Sequence, residues 1–381
     1  MIRILFLFTI FPIVVFSQDD LRNENSKNNF VIVDSVSISK KYYIDLNYTY
    51  GNIVKHSNKV KHLIVGHPDG FFISFNRMTF GDQDWQSRYN YPDYGASFSY
   101  LDMHNEVLGK NYGLYGHYNF YFLRRKLILR VAQGITYNTN PYDKETNFQN
   151  VAYGSHFFPS TYFLLNYHKL NIYKGIGIQV GALFIHHSNA NMKAPNTSTN
   201  ALTFNVGLNY ELNYKETINY LPIKDTLKVI EPIRYNIIFR GGINQNDLIG
   251  SGQFPFFVLS AYADKRLSYK SSIQAGADLF DMRSIREYAR YREHAYPSER
   301  INANADYRKI GVFIGHELFI NKLSMETQFG YYIYAPLNFM GSFYQRIGLK
   351  YYVSKPFFAG IGLKTHSASA EALEFSLGIR F

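Results

Sequence analysis

Between Ala201 and Leu212 every second side chain is apolar: Leu202, Phe204, Val206, Leu208, Tyr210 and Leu212 alternate with Thr203, Asn205, Gly207, Asn209 and Glu211. A period of two marks a strand with one greasy and one polar face, because successive side chains of an extended chain point to opposite sides. The last segment repeats the pattern, with Leu373, Phe375, Leu377, Ile379 and Phe381 on one face and Glu374, Ser376, Gly378 and Arg380 on the other. Segments of about 10 residues alternating in this way are what a transmembrane β-barrel needs, since its strands face lipid on one side and lumen on the other. Alternating runs between turn signals predict strands near 42–54, 68–80, 93–103, 107–122, 126–137, 157–170, 174–188, 201–213, 232–246, 253–266, 270–281, 305–319, 322–334, 341–353, 356–366 and 369–381. The fold class expected is therefore all-β, a single transmembrane antiparallel barrel of about sixteen strands, with roughly fourteen or twelve if a hairpin or two is misread.

The start of the chain agrees. Arg3 is followed by an apolar run from Ile4 to Phe16, then Ser17 and the polar Gln18-Asp19-Asp20. This is the layout of a secretory signal peptide, 1–17, cleaved after Ser17. A transmembrane anchor is the alternative, but the run falls short of the roughly 20 residues that a helix needs to cross hydrocarbon. Residues 18–40 form a polar leader, and 41–381 form the outer-membrane barrel, with a first half at 41–213 and a second at 232–381.

Composition narrows the class further. Beyond the signal peptide no apolar stretch reaches about 18 residues, which excludes a helical membrane protein, and the mean hydropathy is −0.23. The 34 Tyr and 32 Phe make aromatic residues 18% of the chain, as expected of a barrel with aromatic girdles at both interfaces. With no cysteine, a disulfide scaffold, a thiolate metal site and a lipid anchor on Cys are all excluded. The formal charge of +11 comes from 40 Lys and Arg spread along the chain against 29 Asp and Glu. Nucleic acid is not an expected partner of a secreted barrel; a phosphorylated glycolipid surface is.

With both termini in the periplasm, odd-numbered strands run outward. Short inner turns such as Leu123-Arg124-Arg125-Lys126 and Val353-Ser354-Lys355-Pro356, and long outer loops at 138–156, 189–200 and 282–304, then follow the usual asymmetry. Two inner connections, 81–92 and 214–231, are longer than that rule expects, and the second would divide one barrel into two eight-stranded halves.

The stretch that carries chemistry is Phe184-Ile185-His186-His187-Ser188-Asn189-Ala190, followed by Lys193-Ala194-Pro195-Asn196 and by Asn200 at the opening of the next strand. His186 and Ser188 are two apart and so share a face, and a base beside a hydroxyl is the minimum for an activated serine. They continue the row Ile176, Ile178, Val180, Ala182 and Phe184, the lipid-facing side of an outward-running strand. Counting back from Leu202 and Phe204 puts Asn200 on the same outward face of the neighbouring strand, within reach of the imidazole. A serine, a histidine and an amide would then lie at the outer-leaflet interface, where an acyl ester of a lipid would be.

On His186-x-Ser188-Asn189-Ala190 with Pro195-Asn196 following, in a strand-loop-strand setting, the chain resembles the outer-membrane lipid A 3-O-deacylase and acyloxyacyl hydrolase family. The resemblance covers 42–213, and the remainder is similar to the extended form of larger, Bacteroidetes-type members. It implies hydrolysis of an ester-linked acyl chain of lipopolysaccharide, with Ser188 as nucleophile, His186 as base and Asn200 orienting the histidine. It further implies that Asn196 and the amides of Asn189 and Ala190 stabilise the oxyanion, with no cofactor or metal. Lipid A and the outer-membrane assembly machinery are the partners it implies. The sequence departs from the family at Asn200, where the best-studied members have a glutamate: an amide can fix the imidazole tautomer but cannot neutralise imidazolium.

The bland alternative is that His-His-Ser-Asn is only a polar loop entry, in a non-enzymatic porin or structural barrel whose site has lapsed. A shared metal on His186 and His187 is disfavoured because adjacent strand residues point to opposite faces. Arg283, Arg286, Arg290, Arg292 and Arg300 suggest a solvated loop or short helix that could meet phosphates. Asp278 and Asp281 read as solvated rim residues, and His67-Pro68-Asp69-Gly70 as a turn.

Overall fold

The computed structural model describes residues 40–216, 219–222, 229–367 and 369–381. The expected signal peptide, and all of the expected leader but its last residue, lie outside the described residues. Two runs of eight antiparallel strands make up the fold. The first comprises β1 Tyr42–Ile53, β2 Asp69–Arg77, β3 Asp93–Asp102, β4 Lys110–Phe122, β5 Leu127–Asn138, β6 Phe157–Tyr173, β7 Ile176–His187 and β8 Thr199–Glu211. The second comprises β9 Arg234–Asn244, β10 Phe254–Arg266, β11 Ser271–Met282, β12 Lys309–Ile320, β13 Leu323–Tyr334, β14 Phe343–Tyr352, β15 Phe357–His366 and β16 Ser369–Arg380.

Strand number and position follow the alternation. Closure does not take the form of one sixteen-strand circuit: there are two closed barrels of eight strands each. β1 returns to β8 through an unbroken ladder from Tyr43↔Glu211 to Ile53↔Ala201. β16 closes on β9, with Phe375 opposite Gly241 and Arg380 opposite Asn236, and not on β1. The physical reason the sequence misleads here is that alternation fixes which face a side chain takes and carries no information about the partner strand.

Each barrel is greasy outside and polar within. On β1 the exposed row is Ile44, Leu46, Tyr48 and Tyr50, and the buried row includes Asp45, Asn47 and Thr49. An eight-stranded barrel is just wide enough for its side chains to fill it, and each interior combines a cluster of buried apolar and aromatic side chains, such as Phe72, Tyr162 and Leu183 in the first and Phe256, Phe280 and Tyr344 in the second, with a network of paired charges. In the first, Arg130 Nη2 donates to Asp45 Oδ2 at 2.6 Å and Nη1 to Oδ1 at 3.2 Å, while Nε reaches Asn119 at 2.8 Å. In the second, Arg346 Nε lies 2.6 Å from Glu374 and Nη1 3.0 Å from Asp278, and Lys350 Nζ lies 2.9 Å from both Glu317 and Glu326. Asp278, expected as a solvated rim residue, is 1% exposed and sits in this interior network, where Tyr344 also donates to it at 2.7 Å. It faces inward because it is paired across the ladder with Gly311 and Ser260, in register with the polar row.

The long 81–92 connection has a structural use. It carries the short helix α1 Asp84–Arg88, and its Tyr91 carbonyl accepts from Arg125 Nη1 at 2.8 Å, so it folds against the Leu123–Lys126 turn at that end of the first barrel. The chain divides into two compact units. The first runs from the start of the described chain to Asn140, then takes in Pro159–His187 and β8; the second takes in Pro141–Phe158, Ser188–Ser198 and everything from β9 onward.

Removing one partner of a buried ion pair strands the other's charge and costs about 3–5 kcal/mol. Arg130→Ala should therefore lower the urea midpoint of the first barrel in vesicles. Fluorescence of Trp85, the only tryptophan, reads this directly; an unchanged midpoint would contradict the described network.

Candidate functional site

The outward row of β7 begins with Ile176, Ile178 and Val180, all exposed, and ends with Phe184 and His186, which are partly covered, while Ile185 and His187 beside them are buried. His186 and His187 thus take opposite faces and cannot ligate one ion from one side. β7 and β8 are in register so that His186 lies directly opposite Asn200. Their side chains meet, with His186 Nδ1 2.6 Å from Asn200 Oδ1. A carbonyl oxygen accepts, so the imidazole donates from Nδ1 and keeps Nε2 as its basic atom. Asn200 is 1% exposed, and its backbone carbonyl accepts from Val54 N–H at 2.7 Å, which fixes the residue from the β1 side as well.

Ser188 follows the end of β7 and is buried at 8% exposure. Its hydroxyl donates to Asn196 Oδ1 at 3.1 Å and accepts from the Ala190 N–H at 3.2 Å. The same Asn196 oxygen takes the Asn189 N–H at 2.9 Å. Ala190 and Asn191 both have left-handed backbone, with φ of 53° and 62°, and this turns the Ala190 amide back onto the serine. Asn189 Nδ2 donates to the Lys193 carbonyl at 2.5 Å, closing the turn from within.

The predicted residues therefore fall into two groups. His186 and Asn200 are brought together in the first unit, and Ser188, Asn189, Ala190 and Asn196 are brought together in the second. The three oxyanion candidates are engaged: the Asn189 amide donates to Asn196, the Ala190 amide to Ser188 itself, and the Asn196 side-chain oxygen accepts from both Asn189 and Ser188.

Sequence reasoning does not reach the residues that brace the serine segment. Thr197 N–H donates to Val151 O at 3.0 Å and Ser198 N–H to Ala152 O at 3.3 Å. Gly154 passes so close that a Cβ there would lie 2.4 Å from the Lys193 carbonyl oxygen. Gln245 and Gln253 bind the segment too. The 138–156 stretch reads only as a long outer loop, and no local signal marks glutamines elsewhere in the chain.

Other candidates have structural partners. A Ser97–His117–Asn76 chain, with contacts of 2.6 and 2.9 Å, is sealed inside the first barrel where no substrate reaches it. Asp281 is met by the Tyr307 hydroxyl at 3.3 Å and Arg308 at 3.5 Å. The arginine-rich stretch forms the helix α2 Arg283–Ala295, in which Arg290 pairs with Glu287 at 2.8 Å and Arg292 pairs with Glu299 beyond it. Of the expected His67–Gly70 turn, Asp69 and Gly70 instead open β2, paired with Tyr50 and Thr49; His67 Nδ1 lies 2.7 Å from Asn52 Oδ1 and Asp69 accepts from Tyr48 at 2.8 Å.

Solved structures with partial likeness include a mutant of the Rhodopseudomonas blastica porin, 8% identical with a TM-score of 0.18, covering 90% of this chain and 99% of that one. Pseudomonas aeruginosa OccK2 (OpdF) is 12% identical with a TM-score of 0.20, covering 90% and 96%. Both likenesses are too slight to bear on fold or function. No curated protein sequence matches the chain significantly. Two family models match in tandem, lipid A 3-O-deacylase (PagL) over residues 69–209 and the acyloxyacyl hydrolase C-terminal domain over residues 233–381. The first contains His186, Ser188 and Asn200, and the second spans the other barrel, so that the chain belongs to the lipid A 3-O-deacylase and acyloxyacyl hydrolase family.

Proposed function

We propose that this protein is an outer-membrane carboxylic ester hydrolase that removes an ester-linked acyl chain from lipid A, with Ser188 as nucleophile and His186 as base at the lipid-facing outer rim. The observation that carries this reading is the His186–Asn200 contact of 2.6 Å at the end of an apolar outward row, with a serine two residues on. The base is already held in the tautomer that leaves Nε2 free to take a proton.

Catalytic hydrogen bonds often form only with substrate bound. Ser188 turns from Asn196 toward His186 Nε2, gives up its proton there, and bonds to the acyl carbonyl carbon. The carbonyl oxygen becomes an oxyanion, and the Ala190 N–H released by the rotating hydroxyl, with Asn196 Nδ2, stabilises it. Each such donor is typically worth about 3–4 kcal/mol of barrier. The imidazolium protonates the departing alkoxide of lipid A; water, deprotonated by the same Nε2, then cleaves the acyl-serine ester and frees the fatty acid. A porin would need a water-filled lumen, whereas buried ion pairs occupy the interior of each barrel.

Mass spectrometry of lipid A from cells expressing the wild type should show loss of one acyl chain, and Ser188→Ala should abolish it. Identical acylation in both, equal to that of cells lacking the protein, would refute the hydrolase. Asn200→Ala should lower turnover on the order of 10²-fold by freeing the imidazole, and Asn200→Glu should preserve or raise it by adding charge to the same contact. Complete loss in a folded Asn200→Glu protein would mean that another residue is the third member.

A further inference from the structure

The segment Ser188–Ser198 is gripped by a residue far along the chain. Gln245, immediately after β9, is 4% exposed. Its backbone N–H donates to the Asn191 carbonyl at 2.9 Å, and its Oε1 accepts the Ala194 N–H at 3.0 Å, so one residue holds the turn at two points. The grip is itself braced. Gln245 Nε2 donates to Leu248 O at 2.9 Å and reaches Ser251 Oγ at 3.4 Å, while Ser251 donates to Asn246 Oδ1 at 2.8 Å. Exposed Gln253 adds a third point, with Nε2 donating to Met192 O at 2.8 Å.

These contacts matter because of what the segment holds. Only Pro195 separates the gripped Ala194 from Asn196, whose side-chain oxygen receives both the Ser188 hydroxyl and the Asn189 N–H. Any displacement at Ala194 therefore passes to the group that aims the hydroxyl. Misplacing a reacting atom by about 1 Å can cost on the order of 10²-fold in rate. The turn's own bonds, Asn189 to Lys193 and Met192 N–H to Asn189 O, do not supply this rigidity, since they lie within it and leave it free to move as a body.

We propose that Gln245 is a positioning residue for Ser188, and that fixing the Ser188–Ser198 segment is a contribution of the C-terminal unit to the reaction. Its amide oxygen and backbone N–H set where Asn196 stands, and Asn196 sets where the nucleophile stands. This inference rests on the hydrolase reading above.

The test compares Gln245→Leu, Gln245→Glu and Gln253→Ala in the full chain in vesicles, by steady-state kinetics on lipid A and by hydrogen exchange of amides in 189–197. Gln245→Leu is close in size but cannot accept from Ala194. It should lower kcat about tenfold or more at nearly constant KM, and speed exchange in the segment while β7 and β8 stay protected. Gln245→Glu keeps an oxygen for the Ala194 N–H and should restore most of both. Gln253→Ala, at an exposed position that leaves folding intact, should produce a smaller change of the same kind, and carries the test if Gln245→Leu fails to insert. Wild-type kcat and exchange in Gln245→Leu, or in Gln253→Ala where that variant carries the test, would overturn the proposal. So would failure of Gln245→Glu to rescue. If the wild type itself leaves lipid A intact, the hydrolase reading fails, and exchange alone still decides whether Gln245 anchors the segment.

Discussion

In hydrocarbon an unpaired backbone amide has no water to turn to, and this single constraint organises the molecule. Strands can cross only if every ladder is closed, and closure at eight strands leaves an interior too narrow for water to fill and wide enough for side chains. The charges that enter it need partners there. Hence the bidentate Arg130–Asp45 pair in one barrel and Arg346 between Asp278 and Glu374 in the other. The polar rows that alternation requires become charged cores, and the apolar rows become the surface that meets lipid.

The ladder beside the one that closes the first barrel sets the candidate base. A cross-strand pair is set by register, so once β7 and β8 are aligned His186 and Asn200 face each other without further adjustment. The segment that carries Ser188 is different in kind. It is irregular, its order comes from Asn196 and the left-handed pair Ala190 and Asn191, and it is held from outside by Val151, Ala152 and Gln245. The imidazole thus owes its orientation to a regular sheet, and the hydroxyl owes its own to a braced turn.

Much of this is legible in the sequence. Period-two patterning puts β8 at 201–213, against the observed Thr199–Glu211, and gives the outward parity of His186 and of Asn200. It fails wherever the answer depends on a distant partner. Nothing in β16 distinguishes closure on β9 from closure on β1, and nothing near Asp278 reveals Arg346, which lies 68 residues away. The engaged amides of Asn189 and Ala190 escape for another reason: they depend on backbone dihedrals of a turn, which residue identity alone underdetermines. The 51-residue separation between Ala194 and Gln245 hides the brace in the same way.

Two seams in place of one also change how such a chain can be assembled. Joining the ends of a ring costs entropy that grows with the length of chain between them, and non-local pairings are slow to form. With β1 sealed to β8, the first ring has everything its closure requires once β8 exists, before any strand of the second has been made. A sixteen-strand ring would have to keep a raw edge open until its final strand arrived.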